Sequence, residues 1–137
     1  HFATAFVAIV DPGTGHMSYA SAGHPPAIIR RAGGEIHSLS SPSPLLGVEA
    51  RFDYPDGYSQ LGEGDTILFY TDGAEDARRD GVLLGVDGLA DQLREHGGRS
   101  LEALLKRLTE EIYRWSGGRF VDDTALVALR RRGETRK

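Results

Sequence analysis

Gly64-Asp65-Thr66-Ile67-Leu68-Phe69-Tyr70-Thr71-Asp72-Gly73-Ala74-Glu75 is the stretch whose reading decides the fold. It opens in a turn, Gly62-Glu63-Gly64-Asp65, that feeds an apolar strand over 66–71. The strand ends at a Thr-Asp-Gly corner. After Asp72 the apolar spacing changes to that of helices. Leu89, Ala90, Leu93 and His96 share one helical face, and Gly97-Gly98 stops that helix. Ser100 is a good N-cap for a second helix, with Glu102 favouring its dipole. Leu101, Leu104, Leu105, Leu108, Ile112 and Trp115 then form one apolar stripe, a core face ended by Gly117-Gly118. The chain returns through Phe120-Val121 and Asp122-Asp123 to a last strand, Thr124 to Leu129.

Upstream, residues 2–10 read as a strand buried on both faces. Asp11 to Gly15 is a turn cluster, and His16 to Ser21 alternates as a return strand, with Met17, Tyr19 and Ser21 on one face. Ala27 to Arg31 and Glu35 to Leu39 make a second hairpin about Gly33-Gly34. Ser40 to Gly47 is a Ser/Pro loop, and Arg51 to Tyr58 is an edge strand interrupted by Pro55. Strands, then helices, then a closing strand give an α+β class dominated by antiparallel pairs.

The chain has 137 residues, 39% hydrophobic and 26% charged, which is one ordinary globular domain or a piece of a larger one. A net charge of −4 argues against nucleic acid as partner. The basic run Arg130-Arg131-Arg132, with Arg136-Lys137, reads as a solvated chain end. The absence of Cys excludes disulfide scaffolds, zinc-thiolate sites and thiol nucleophiles. No apolar stretch approaches the ~20 residues of a membrane span, and a cytoplasmic protein is expected. The chain begins inside a strand-like run without an initiator Met, so an excised part of a longer protein is expected.

Two places carry candidate chemistry. Asp72 closes one strand and Asp122-Asp123 opens another. Carboxylates at strand ends sit on rigid elements, and two such ends side by side suit Mg²⁺ or Mn²⁺. Taken alone, each corner reads more readily as an ordinary turn, since Asp-Gly is a common turn pair. His24, in Ser21-Ala22-Gly23-His24-Pro25-Pro26, is held in an extended backbone by the following prolines. It reads as a general acid or phosphate contact, or as a buried His bonding the backbone where strands cross; the latter is preferred. No nucleophile elbow and no phosphate loop is present.

Taken in order, four segments resemble the SpoIIE/RsbU-type serine phosphatases of the PPM (PP2C-like) superfamily. They are 21–26, Pro44-Leu45-Leu46-Gly47, 64–77 and Asp122-Asp123-Thr124-Ala125-Leu126-Val127. The likeness runs from the first strand to Arg130, and residues 1–131 are expected to be the C-terminal part of the phosphatase domain, with 132–137 a disordered basic tail. It implies an antiparallel β-sandwich flanked by helices (α-β-β-α), here N-terminally truncated. It implies a two-metal centre of Mn²⁺ or Mg²⁺ that activates water for attack on a phosphoserine or phosphothreonine ester. By position, Asp72 and Asp122 would be metal ligands and Asp123 would support the site from behind. Gly73 would allow the turn that aims Asp72, while Gly23 and His24 would be structural.

The implied substrate is a phosphorylated anti-sigma-factor antagonist of the STAS type. Many members carry Thr where Ala125 stands, and further acidic metal motifs upstream of the first strand. Without those motifs the chain alone would be weakly active or inactive, with an open sheet inviting dimerisation. The competing reading is a non-catalytic regulatory module that uses the same fold to hold a STAS or anti-sigma partner.

Overall fold

The computed structural model describes residues 1–118 and 123–133. In chain order these form β1 (Ala5–Val10), β2 (His16–Ala22), β3 (Ala27–Arg30), β4 (Ile36–Leu39), β5 (Gly57–Gln60) and β6 (Thr66–Tyr70). Then follow α1 (Asp72–Glu75), β7 (Arg78–Arg79), β8 (Val82–Leu83), α2 (Gly85–His96), α3 (Leu101–Trp115) and β9 (Leu126–Arg130). One sheet has the order β1-β2-β5, the other β4-β3-β6-β9, and every pairing within them is antiparallel. The α+β class and the antiparallel sandwich are as the sequence led one to expect. Among the described residues, helices cover the four-stranded sheet alone.

β6 lies between β3 and β9, and with the other sheet on one face and helices on the other its apolar run is unbroken. Ile67 faces the other sheet with Met17, Ala27, Ile29, Leu39 and Leu61, against which Phe6, Ala8, Val10 and Phe69 pack. Leu68 and Tyr70 face the helices, joining Ile28, Leu89, Leu93, Leu104, Leu108 and Ile112. The expected helical stripes are the core-facing ones. Ser100 caps α3 as read, accepting the Ala103 N–H at 3.2 Å.

Several readings need correction. β1 is not buried on both faces: it is an edge strand, and Val7 and Ile9 are 60% and 70% exposed on its outer side. The edge strand expected over 51–58 begins only after Pro55, at Gly57. Two of the arginines read as a solvated end, Arg130 and Arg131, are tied down. Arg130 donates from Nε to Thr66 Oγ1 and from its two terminal nitrogens to the Arg99 and Gly97 carbonyls, at 2.7–2.8 Å. Arg131 donates to the Pro12, Gly13 and Leu61 carbonyls. A rigid guanidinium fork suits groups of carbonyls left free at turns and helix ends. The expected tail lies outside the described residues from position 134 onward.

Asp65 anchors the entry to β6. It is 5% exposed and accepts from the Arg31 guanidinium (2.8 Å) and from the Ala32 (2.9 Å) and Gly62 (2.8 Å) N–H groups. Burial disfavours its charge, but the Arg31 and backbone hydrogen bonds outweigh that and hold its carboxyl below the usual range. Asp65→Ala should lower unfolding free energy by about 3 kcal/mol in urea titrations at neutral pH. Because the folded value is depressed, this stabilisation is present above the ordinary carboxylate range. It is lost as pH falls through the folded value.

Candidate metal centre

The Thr-Asp-Gly corner is where β6 stops. Asp72 begins α1, and Thr71 occupies its N-cap position without a side-chain capping bond. The Thr71 hydroxyl is used across the sheet instead. Thr71 N–H donates to Ala125 O (3.1 Å), Ala125 N–H donates to Thr71 Oγ1 (2.9 Å), and Thr71 Oγ1 donates to Asp123 O (3.3 Å). The two strand ends that the sequence singled out therefore meet, laced through one threonine.

Gly73 makes the approach possible. Its backbone does not have positive φ, so its part in the geometry is room rather than turn conformation. A Cβ there would lie 2.4 Å from Asp123 O and 2.6 Å from Thr124 Oγ1. Asp72 and Asp123 are both exposed at this edge. Asp122 lies outside the described residues.

Two acids missed by the motif reading, Glu75 and Asp76, belong to the same corner. Burial first, and then the charges of Asp76 and Asp72, hold the Glu75 carboxyl above the usual range. Burial and Glu75 together push the Tyr70 phenol, whose oxygen has no hydrogen-bond partner among the described residues, well above its ordinary value. Among the described residues no ion pair relieves Asp72, Glu75 or Asp76. The donors of this set are hard oxygens, the kind that divalent cations such as Mg²⁺ and Mn²⁺ prefer. Among the described residues, no three potential ligands converge on one point. The local charge pattern was legible in Asp72-Gly-Ala-Glu75-Asp76, had α1 been foreseen.

Gly23 and His24 lie just beyond β2. Gly23 has φ +60°, and a Cβ on it would stand 2.8 Å from the Leu45 side chain, which brings the Pro44–Gly47 segment against it. His24 Nε2 contacts Tyr70 O at 3.1 Å and Nδ1 contacts Thr4 Oγ1 at 3.0 Å. His24 bonds the backbone as the preferred reading has it, but it is half-buried rather than buried, because it lies at the open edge beside Thr4.

A two-sheet α+β domain with paired acidic strand ends is the PP2C-like phosphatase class of the SpoIIE/RsbU type, as comparison with known proteins bears out. A model of the family "Stage II sporulation protein E (SpoIIE)" matches residues 1–132, and the chain belongs to that family. It is 26% identical over 132 residues to the phosphoserine phosphatase RsbU of Bacillus subtilis, covering 96% of this chain and 39% of RsbU. The RsbU and RsbW domains of Rv1364c from Mycobacterium tuberculosis superpose with a TM-score of 0.83 at 29% identity, covering 97% of this chain and 37% of that one. The Mn-presoaked phosphatase domain of SpoIIE from Bacillus subtilis gives 0.81 at 21% identity, with coverage of 98% and 59%; at that identity the likeness is one of fold. Phosphatase activity is thus a property at the level of the family.

Two outcomes test the corner. Gly73→Ala should destabilise by about 1–3 kcal/mol in urea titrations, since the new methyl must push the Asp123 segment away. Glu75→Gln should raise the melting temperature above pH 7. Glu75's folded value is raised, so its favourable, protonated state is complete below the ordinary 4.5 and is lost as pH rises through the folded value. The advantage of the Gln variant should therefore shrink on acidification and vanish below about that ordinary value.

Proposed function

We propose that this chain forms the part of a Mn²⁺- or Mg²⁺-dependent protein-serine/threonine phosphatase that carries Asp72 and Asp122 as metal ligands. The observation that supports it best is the lacing of the Asp72 corner to the Asp123 strand end through Thr71, in a chain of the SpoIIE family. Asp72 would hold the metal from the rigid end of β6, with Asp122 as the second ligand. Asp123, whose carbonyl accepts from Thr71, would fix the facing strand. Gly73 would keep the two ends in contact. When bound, the divalent metal supplies Lewis acidity and charge neutralisation for attack of water on a phosphoester. The unrelieved acidity of Glu75 and Asp76 keeps the corner a cation-binding place rather than a phosphate-binding one.

The substrate class we assign is a phosphoserine or phosphothreonine ester on a STAS-type anti-sigma-factor antagonist, met in the cytoplasm. Support comes from the name of RsbU, a phosphoserine phosphatase, and from the Mycobacterium tuberculosis structure that holds RsbU and RsbW domains. The chain spans 39% of RsbU's length, and we assign the remaining metal-binding acids to sequence upstream of β1 in the whole protein. By itself, the chain would then be weakly active or inactive. The open edge at β1, with Val7 and Ile9 outward, is the surface through which it would dimerise when isolated.

In the intact protein, Asp72→Asn should reduce Mn²⁺-dependent hydrolysis of p-nitrophenyl phosphate by well over about tenfold, with the thermal unfolding profile preserved. Undiminished activity would remove Asp72 from the metal centre. It would leave the regulatory-module reading to be tested by capture of a STAS domain.

A further inference from the structure

We infer that His24 is a positioning residue for Asp72, standing in for a strand hydrogen-bond donor that the chain's own prolines remove. The inference rests on the reading of Asp72 as a metal ligand.

The argument begins in the β6 backbone. Thr71 N–H points to β9, where it bonds Ala125 O. The carbonyl of the same peptide unit, Tyr70 O, points the opposite way, toward β3, because the peptide is planar and trans. The β3–β6 register sets Arg30 opposite Thr66 and Ile28 opposite Leu68. Continued by two residues, it sets Pro26 opposite Tyr70. In an antiparallel ladder, that position would supply the N–H for Tyr70 O. Proline has none. Pro25 precedes it, so the neighbouring backbone lacks a donor as well.

His24 Nε2 occupies this gap, 3.1 Å from Tyr70 O. A carbonyl only accepts, so Nε2 carries the proton. In the neutral ring Nδ1 is then an acceptor, and the Thr4 hydroxyl at 3.0 Å donates to it. Phe6 covers the ring, with centroids 6.4 Å apart. The imidazole thus ties the segment before β1 to the last peptide of β6. The next residue, Thr71, holds Asp123 and Ala125, and the one after it is Asp72. One side chain sets the orientation of the peptide from which the carboxylate departs. A ladder bond ending at Ala27 would leave Tyr70 O unsatisfied and the corner free to pivot.

The test uses the whole chain labelled with ¹⁵N. First, long-range ¹H–¹⁵N spectra of the His24 ring should show the Nε2–H tautomer at neutral pH; the Nδ1–H tautomer would overturn the proposal. Second, line broadening of the Asp72 and Gly73 amides is followed as Mn²⁺ is added. His24→Leu should need about tenfold more Mn²⁺ for the same broadening, and His24→Gln, which keeps an N–H donor, should recover most of that loss. Equal broadening in wild type and His24→Leu, or no recovery in His24→Gln, overturns the proposal. Should His24→Leu fail to fold, Thr4→Val is read in its place: it must weaken Mn²⁺ broadening by a few-fold, and an unchanged titration counts against the proposal. Asp72→Asn separates the two ideas. If it leaves broadening unchanged, the metal-ligand reading fails even where the His24 tautomer is as expected.

Discussion

The pairing of β6 with β9 is the constraint on which the rest of this molecule depends. Five residue pairs, from Thr66–Arg130 to Tyr70–Leu126, join two segments far apart in sequence. The cost of closing the long intervening segment is offset by packing that segment's helices onto the same two strands. Leu68, Tyr70, Leu126 and Ala128 present one face to α2 and α3. At one end of the pair the register delivers the Asp72 corner to Asp123. At the other it delivers Arg130 to Thr66 and the α2–α3 turn.

The two ends are held by different chemistry, and that difference has a purpose in the fold. At the Arg130 end, guanidinium forks gather carbonyls from Gly97, Arg99, Pro12, Gly13 and Leu61, and the Arg31–Asp65 pair closes the turn before β6. This end is cationic. At the Asp72 end the links are a threonine hydroxyl, an imidazole and backbone amides. Among the described residues no ion pair involves Asp72, Glu75 or Asp76.

The sequence made the apolar periodicities, the Ser100 cap, both hairpins and the two acidic strand ends readable, because each rests on local spacing or on one residue's conformational preference. Whether the acidic ends meet was not readable from spacing. It depends on the β6–β9 register, which only long-range pairing sets. Arg130 and Arg131 looked like a solvated end because a carbonyl acceptor leaves no mark in the sequence. β1 looked buried on both sides because Phe2 to Val10 is apolar throughout, yet Val7 and Ile9 face outward from an edge. The role of His24 was half legible: the prolines announced an extended backbone, but the carbonyl they leave unmatched lies 46 residues away.

The exposed apolar side chains show where the sandwich is open. Leu129 and Val127 pair with Ile67 and Phe69, and so belong to the inner face between the sheets. They are nevertheless 47% and 54% exposed, because the opposing sheet stops at β1 while β9 reaches further. A strand added beside β1 would cover them, and the contact of Thr4 with His24 places that end of β1 next to the Asp72 corner. Under the proposed metal reading, covering the inner face and bringing further oxygen ligands to Asp72 call for chain in the same place. Burial of two half-exposed aliphatic side chains, worth about 1–3 kcal/mol together, would favour the same arrangement that the carboxylates need.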